Sequence, residues 1–320
     1  MLRKLRIKKF KSIWADEIDF GYVNLFIGAN GTGKSNVLEA IGLVSSIFAR
    51  GLDPSELDLK GIRLSLPHIF KSAFKGHDLP KTFRLEAEFD HGRYDCGIRA
   101  SSNSTSLEFF SEALYDGNRQ VCGRSMHGIN VRSGEFGSGT IERFTIENSR
   151  SVWSVVGPLI DISPEFRAEI EQFAHFAIYA PQTAVMRGLA IDPRVVEPLG
   201  LTGAGLASAF EEALLSRPDS EFRRLTKIIW EPGWANRVQI GAFNRDIVPS
   251  QVSSSGRLLY IRDKFMQTQR NHLSAFDASE GTLYLIFVAT LLAHYQTPNI
   301  FALDNVDGTL NPRLVRSLTD

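Results

Sequence analysis

Residues 28–35 read Gly-Ala-Asn-Gly-Thr-Gly-Lys-Ser, which is the complete pattern of a phosphate-binding loop. In such a loop, glycines let successive backbone N–H groups turn toward phosphate oxygens, while the lysine reaches the β- and γ-phosphates. The final hydroxyl binds Mg²⁺. Lys34 and Ser35 therefore predict a site for ATP and Mg²⁺. The other positions expected to line the phosphates are Asn30, Gly31, Thr32, Gly33 and Asn36.

The sequence on either side of the loop supports this prediction. The apolar run of residues 22–27 predicts a short strand that ends at the loop, and residues 36–44 place apolar side chains at helical spacing. A helix that starts directly after the loop points its N-terminal dipole at bound phosphate. The alternative is a glycine turn with an incidental lysine.

Charge is balanced over the whole chain but not along it. The 320 residues include 36 basic and 36 acidic side chains, so no overall field draws the chain to nucleic acid or to a membrane. Basic residues cluster near the N-terminus, and two interpretations of them stay open: the solvent side of an exposed first strand, or a contact with nucleic acid. These residues are Arg3, Lys4, Arg6, Lys8, Lys9 and Lys11.

Cysteine usage and hydropathy indicate the cellular compartment of the chain. Cys96 and Cys122 have no metal-ligand spacing and are expected to be reduced thiols. The longest apolar run, residues 283–293, is too short to cross a bilayer, and the basic N-terminus lacks the apolar core of a signal peptide. We therefore expect a cytoplasmic protein with no membrane contact.

A second functional element lies near the C-terminus. Residues 299–304 form an apolar strand pattern ending in Asp304, which suits a carboxylate that holds Mg²⁺ beside Ser35. About 270 residues separate Lys34 from Asp304. Both ends of the chain are therefore expected on one parallel sheet, with residues 1–50 plus 270–320 as the ATPase core. Residues 51–269 would be a β-subdomain and helical insertion of the same head.

The inserted region has mixed patterns. Residues 83–98 alternate as a half-buried hairpin, and further strands are predicted near 107–110 and 143–147. Residues 101–106 and the glycine-rich stretch 123–139 are predicted to be loops. Helices are predicted over 165–175 and 203–230.

A third element directly precedes the C-terminal strand. Ser279 is placed to cap a helix over 283–295, and Gly281 leaves its first turn open, so that free N–H groups can face an anion. An ordinary helix cap is the alternative interpretation of this segment.

In this order the three elements resemble the ABC-type ATPase heads. The resemblance is nearest to the branch with SMC, RecF and OLD-family proteins and the AAA-labelled ATPases of bacterial antiphage systems, of which the Septu-type ATPase is one. It covers about the first and last 50 residues. The stretches that carry it are Phe10–Ile13, Phe26–Asn36, Leu38–Ile41, Ser279–Thr282, Leu303–Asp304 and Leu310–Pro312.

The resemblance implies an α/β P-loop NTPase fold, an ABC-type head with mixed β-rich and helical insertions between the two Walker motifs. It also implies a homodimer in which two heads enclose two ATP molecules. Ser279 and Gly281 of one head would then contact the nucleotide held by the loop of the other. Gln182, after the apolar strand pattern 176–179, would take the part of the family's metal-contacting glutamine, and the alternative is a loop residue that follows a strand.

The chain departs from the family at the position that activates water. Asn305 stands where the family has a glutamate, and an amide cannot accept a proton. Asn305 can still orient water, and Asp307 could take part of the base role. The family's histidine in the next segment is Asn311 here, and the strand and histidine that follow in the family would lie beyond Asp320. We expect a partner or a further segment to complete that sheet edge.

Three functions are compatible with these residues. The first is an ATP-binding, slowly hydrolysing head that controls a separate effector, such as a nuclease, in antiphage defence. The second is a DNA-maintenance ATPase of RecF or SMC character, with the basic N-terminal strand as the contact. The third is an ATP-sensing scaffold that does not hydrolyse ATP, which Asn305 favours.

Overall fold

The structure is a computed structural model. It describes residues 1–103, 105–125, 127–132, 141–144, 146–194, 197–216, 234–248 and 256–305. Their contacts divide the chain into two compact units, residues 1–178 with 298–302 and residues 179–297 with 303 onward. Pro298–Ala302 therefore returns from the C-terminal region to the unit that holds the N-terminus.

The first unit is built on an eight-stranded sheet in which all neighbouring strands are antiparallel. The strands are β1 (Leu2–Phe10), β2 (Ile13–Asp19), β3 (Phe83–Phe89), β4 (Gly92–Ala100), β5 (Leu107–Asp116), β6 (Arg119–Ser125), β7 (Gly128–Arg132) and β8 (Ile141–Phe144). Their order across the sheet is β2-β1-β3-β4-β5-β6-β7-β8. Alternation along β1 and β3 buries Leu5, Ile7 and Leu85 on one face and leaves charged side chains on the other.

Helix α1 (Lys34–Ala49) covers the buried face of this sheet. Its residues Leu43, Val44 and Ile47 are fully buried in the same apolar cluster as the inner side chains of β1 and β3. Gly51, just past the C-cap residue Arg50, has a φ of 125° in the left-handed region, and a Cβ there would meet the Ser149 carbonyl oxygen at 2.5 Å. The remaining helices of the unit are α2 (Pro54–Leu59), α3 (Val152–Val156) and α4 (Pro164–Phe173).

A buried carboxylate joins the sheet to α3. Glu112 of β5 accepts hydrogen bonds from the Tyr94 hydroxyl at 2.9 Å and from the Val152 backbone nitrogen at 3.0 Å. Nε of Arg124 lies 3.5 Å from the same carboxylate, while the two terminal nitrogens of Arg124 donate to the carbonyls of Glu147 and Arg150. The polar groups in this part of the core are thus largely satisfied by one another.

The described residues of the second unit form a three-stranded antiparallel sheet and three α-helices. The sheet consists of β10 (Ala235–Gly241), β11 (Leu258–Asp263) and β12 (His272–Ser274), with β11 in the middle. The helices are α5 (Thr183–Met186), α6 (Leu206–Ser216) and α7 (Glu280–Ala293). Nearly every residue of α7 is buried, which explains its continuous apolar sequence. Strands β9 (Ala177–Tyr179) and β13 (Phe301–Leu303) pair with each other, and the boundary between the units crosses both.

Two sequence-based predictions of local structure were wrong. Residues 22–27 are not a strand: Tyr22 and Ile27 are 88% and 85% exposed. They form no ladder with any described strand. Part of the glycine-rich stretch 123–139 belongs to β6 and β7 instead of a loop. A Cβ at Gly123 would lie 2.5 Å from the Gln120 side-chain nitrogen and 3.0 Å from the Glu112 carbonyl oxygen, so this glycine serves close packing, not a turn.

The expected parallel sheet that joins both ends of the chain is not found among the described strands, because β1 and β2 lie in the antiparallel sheet and β13 pairs with β9. The remaining local predictions hold within a few residues. The hairpin over 83–98 is formed by β3 and β4, and the predicted helices over 165–175 and 283–295 are α4 and α7. The helix predicted over 203–230 is α6 as far as Ser216, and residues 217–233 lie outside the described part. The mixed α/β architecture is confirmed.

Candidate functional site

The phosphate loop passes directly into α1 without a side-chain cap. Gly31 and Gly33 have φ angles of 84° and 101°, which L side chains rarely adopt. A Cβ at Gly33 would also lie 2.9 Å from the Ser12 hydroxyl. The first turn of α1 carries no acidic side chain, so its positive dipole end remains available to an anion.

Lys34 folds back over the loop that precedes it. Its ammonium nitrogen donates to the carbonyl oxygens of Gly28 at 2.6 Å and Ala29 at 3.2 Å. The Thr32 hydroxyl donates to the Ala29 carbonyl at 2.9 Å. Ser35 is half-buried in the first turn of α1. The loop therefore brings the predicted phosphate-binding residues into one turn, and the ammonium group of Lys34 lies beside the carbonyls of Gly28 and Ala29.

A network of polar side chains clamps the start of α1. The side-chain nitrogen Nδ2 of Asn36 donates to the Ser12 hydroxyl at 2.6 Å, and Arg63 Nη2 donates to the side-chain oxygen Oδ1 of Asn36 at 2.9 Å. One turn further, buried Glu39 accepts from Lys11 at 2.5 Å and from Arg63 Nε at 2.6 Å. Sequence reasoning gave Arg63 and Glu39 no role, because no local pattern joins residues that lie far apart in the chain.

The charge states of this network follow from burial and pairing. Burial lowers the pKa of Lys11, and the ion pair with Glu39 offsets this only in part. Burial alone would raise the pKa of Glu39, but the hydrogen bonds from Arg63 and Lys11 outweigh it and lower that pKa. Glu39 therefore stays ionised at neutral pH and fixes both cations beside the helix that carries the loop.

The second unit places Asp304 next to the strand that leads to Gln182. Asp304 follows β13, and its backbone nitrogen donates to the Tyr179 carbonyl at 2.8 Å, at the end of β9. Three residues after Tyr179, exposed Gln182 begins α5, and its backbone nitrogen donates to the Thr202 carbonyl at 2.9 Å. Two of the three residues predicted to contact the metal thus follow two paired strands.

Asn305 adopts a left-handed backbone conformation directly after Asp304. Its φ is 61°, a region that asparagine tolerates better than most residues, and its backbone nitrogen donates to Asp304 Oδ1 at 3.0 Å. Asp307 and Asn311 lie outside the described residues. The role of Asn305 in water activation stays a prediction.

Ser279 is the N-cap of α7. Its hydroxyl oxygen accepts from the Thr282 backbone nitrogen at 3.3 Å and lies 2.8 Å from the Thr282 hydroxyl. Ser279 is also exposed, and Gly281 is half-buried. The segment thus forms the cap that the sequence predicted, and an anion-binding role for it stays a prediction.

The N-terminal basic residues mostly face carboxylates. Arg6 contacts Glu17 at 2.6 Å, Glu86 at 2.7 Å and Glu88 at 2.5 Å, and Lys4 contacts Asp19 at 3.2 Å. Near the start of the strand, Arg3 pairs with Asp90. Near its end, the ammonium group of Lys9 lies 5.5 Å from the centre of the Trp14 ring. This arrangement fits the solvent side of a first strand.

Cys96 and Cys122 are buried thiols, and burial raises the pKa of both. Within the described ranges no three histidine, cysteine or acidic side chains converge as a metal site. No helix of that part of the chain is long and apolar enough to span a membrane.

Comparison with known proteins places these features in a class. Residues 1–130 match the AAA ATPase domain family. A solved SMC head, bound to the C-winged helix domain of ScpA, matches with a TM-score of 0.51 and 15% identity over 100% of this chain and 84% of that chain. The recombination mediator protein RecF bound to ATP matches with a TM-score of 0.36 and 12% identity over 99% and 88% of the two chains. No curated protein matches the chain.

The phosphate loop and this fold define the P-loop NTPase class. More particularly, residues 1–130 are similar to an AAA ATPase domain, and the chain shares the fold of a solved SMC head, which confirms the predicted α/β P-loop NTPase fold. An ATPase of this class implies a bound nucleotide and a metal ion. The residues present fit them, because the loop offers backbone N–H groups and an ammonium group to phosphates, and Ser35 offers a hydroxyl to a metal.

Proposed function

We propose that this chain is an ATP-binding head that hydrolyses ATP slowly and associates with a second copy around the bound nucleotide. The observation that carries the proposal is the geometry of the loop: two left-handed glycines, an uncapped helix start, and the ammonium group of Lys34 directed at the loop. Each of these features serves phosphate binding and is otherwise unfavourable or unnecessary for folding.

The roles of the other residues follow from this site. Lys34 contacts the β- and γ-phosphates, and Ser35 and Asp304 hold Mg²⁺, with Gln182 as a further metal contact. In this proposal residues 1–50 and 270–320 form the ATPase core, and residues 51–269 are a β-subdomain and helical insertion of the same head.

Slow hydrolysis is inferred from Asn305. An asparagine can orient a water molecule but cannot take its proton, and general-base assistance is typically worth about 10² to 10⁴ in rate. Asp307 is the candidate that could supply part of this function. The bound state would then persist long enough to act as the signal. In the limit of no hydrolysis the chain becomes an ATP-sensing scaffold, which is the second candidate function.

In the proposed association around ATP, the exposed start of α7 would be part of the nucleotide site. Ser279 and Gly281 would contact the nucleotide bound by the partner copy, completing a homodimer with two composite sites. The resemblance to defence ATPases supports a further partner, an effector such as a nuclease, whose activity the ATP state controls in antiphage defence. The SMC head of similar fold is a precedent for binding another protein, since it was solved with the C-winged helix domain of ScpA.

A nucleic-acid role is less well supported by the charges. The cations of the first strand would have to leave Glu17, Glu86 and Glu88 before they met phosphate groups. Measuring DNA affinity across salt concentrations tests this directly, because phosphate contacts give a steep fall in affinity with salt.

Calorimetry with ATP and Mg²⁺ tests the central proposal. We expect Lys34→Ala to abolish ATP binding without loss of the fold, because Lys34 is not part of the apolar core. Lys264→Ala, which removes an exposed lysine of the second unit, is the matched control and should bind like wild type. Equal ATP affinity in Lys34→Ala would refute the site. Light scattering with ATP then tests association.

A further inference from the structure

The turn around Ser279 is held on both sides by the short helix that follows Gln182. Before the turn, Arg187 Nε donates to the Ala275 carbonyl at 3.2 Å and Arg187 Nη2 donates to the Ala278 carbonyl at 2.7 Å. After the turn, the Thr183 hydroxyl donates to Glu280 Oε1 at 2.6 Å. Both anchors come from α5 and its C-cap residue.

These contacts add to the hydrogen bonds between Ser274 and Asp277 that already shape the first part of the segment. Ala275 and Ala278 are buried, so Arg187 reaches carbonyl groups that water cannot easily satisfy. Hydrogen bonds from a guanidinium to a carbonyl, and from a hydroxyl to a carboxylate, are among the stronger ones in proteins. The path of residues 275–280 therefore depends on where α5 lies.

The position of α5 depends in turn on Gln182. The Gln182 carbonyl oxygen accepts from the backbone nitrogens of Val185 at 3.0 Å and Met186 at 2.9 Å, so it forms the first hydrogen bonds of the helix. Val185 and Met186 are buried. Thr183 lies in the single turn that begins at the Gln182 carbonyl, and Arg187 directly follows it, so a shift of Gln182 would move both residues.

We propose that Thr183 and Arg187 are positioning residues that hold the Ser279–Gly281 turn in the shape that meets the partner's nucleotide, and that they link this turn to Gln182. The inference rests on the proposed association around ATP. It assigns the two residues no contact with ATP itself. Their effect is therefore on joining two heads, with ATP binding by a single head left intact.

The test uses Thr183→Val, which is nearly isosteric but cannot donate, and Arg187→Ala. Thr183→Ser keeps the hydroxyl and should restore wild-type behaviour. Arg167→Ala is the matched control, because Arg167 also donates to two loop carbonyls, those of Gly157 and Ile160, but in the first unit. The ATP concentration for half-maximal association is measured by light scattering, and ATP affinity under non-associating dilution by calorimetry.

We expect Thr183→Val and Arg187→Ala to raise that ATP concentration at least about tenfold, the effect of losing one charge-assisted hydrogen bond, while ATP affinity is unchanged. Hydrogen exchange of the amides of residues 275–282 should also become faster in both variants, and not in Arg167→Ala. Unchanged exchange, or unchanged association, in both variants would overturn the proposal. If wild type itself does not associate with ATP, the proposed function fails, and hydrogen exchange still decides whether these residues position the turn.

Discussion

Replacing Glu112 with Gln should change how stability depends on pH. Glu112 is completely buried between β5 and α3, and burial raises the pKa of its carboxyl group from 4.5 to about 7, although Arg124 and the Tyr94 hydroxyl favour the ionised form. Burial prevails because both terminal nitrogens of Arg124 are directed to backbone carbonyls instead of to the carboxylate.

The sign and size of the effect follow from these two pKa values. The unfolded chain releases the Glu112 proton near pH 4.5, whereas the folded chain keeps it to about pH 7. Between these values the folded state binds more protons, so the free energy of unfolding falls as pH rises. A difference of about 2.5 between the pKa values corresponds to roughly 3 kcal/mol. In Glu112→Gln, the amide oxygen can still accept a hydrogen bond from the Tyr94 hydroxyl or the Val152 backbone nitrogen. The glutamine does not titrate, so this pH dependence of the free energy of unfolding should disappear.

Denaturant unfolding of wild type and variant at several pH values isolates this group, because other carboxylates titrate equally in both. We expect the variant to gain roughly 3 kcal/mol relative to wild type between pH 4.5 and pH 8, which for a unit of this size is on the order of 5 to 10 °C in Tm. Glu39→Gln is a control of opposite sign, since the lowered pKa of Glu39 stabilises the fold at neutral pH and this contribution disappears in acid. Parallel curves for wild type and Glu112→Gln would refute the reasoning.

Three further predictions concern the ATP site. Asn305→Glu should raise ATP turnover at least about tenfold with ATP affinity nearly unchanged, measured by phosphate release; fast wild-type turnover that the substitution does not increase would point to another base, such as Asp307. Ser279→Arg should block ATP-dependent association in light scattering while the monomer still binds ATP, and association that survives would leave Ser279 only its capping role. Asp304→Ala should weaken ATP binding in the presence of Mg²⁺ and leave Mg²⁺-free binding unchanged, which calorimetry with and without the metal will decide.

The parts of the fold that the sequence predicted well are those fixed by local chemistry. The glycines and Lys34 define the loop whatever surrounds it, and helix α1 begins within two residues of the predicted apolar pattern. The alternation in 83–98 predicted β3 and β4 because one face of that hairpin is buried and the other is charged.

The parts that sequence reasoning missed depend on partners distant in the chain. Residues 22–27 have the composition of a strand, but a strand needs a neighbour with free hydrogen-bonding groups, and composition does not reveal whether one is available. Gly123 resembles a turn residue until the close approach of β5 is known. The clamp on Glu39 brings Lys11 and Arg63 from opposite directions along the chain, and no spacing rule anticipates it.

The hydrogen bonds that Lys34 makes to the Gly28 and Ala29 carbonyls turn the loop into a site of internal competition. The ammonium group of Lys34 is already hydrogen-bonded in the loop. A ligand that binds it must therefore form stronger interactions with it than the two carbonyl groups do. In the proposed site, the β- and γ-oxygens of a triphosphate would take the place of these two carbonyls. The net gain from the Lys34 contact is then reduced by the hydrogen bonds that must break. Loading of the loop would thus be an exchange of hydrogen-bond partners at Lys34.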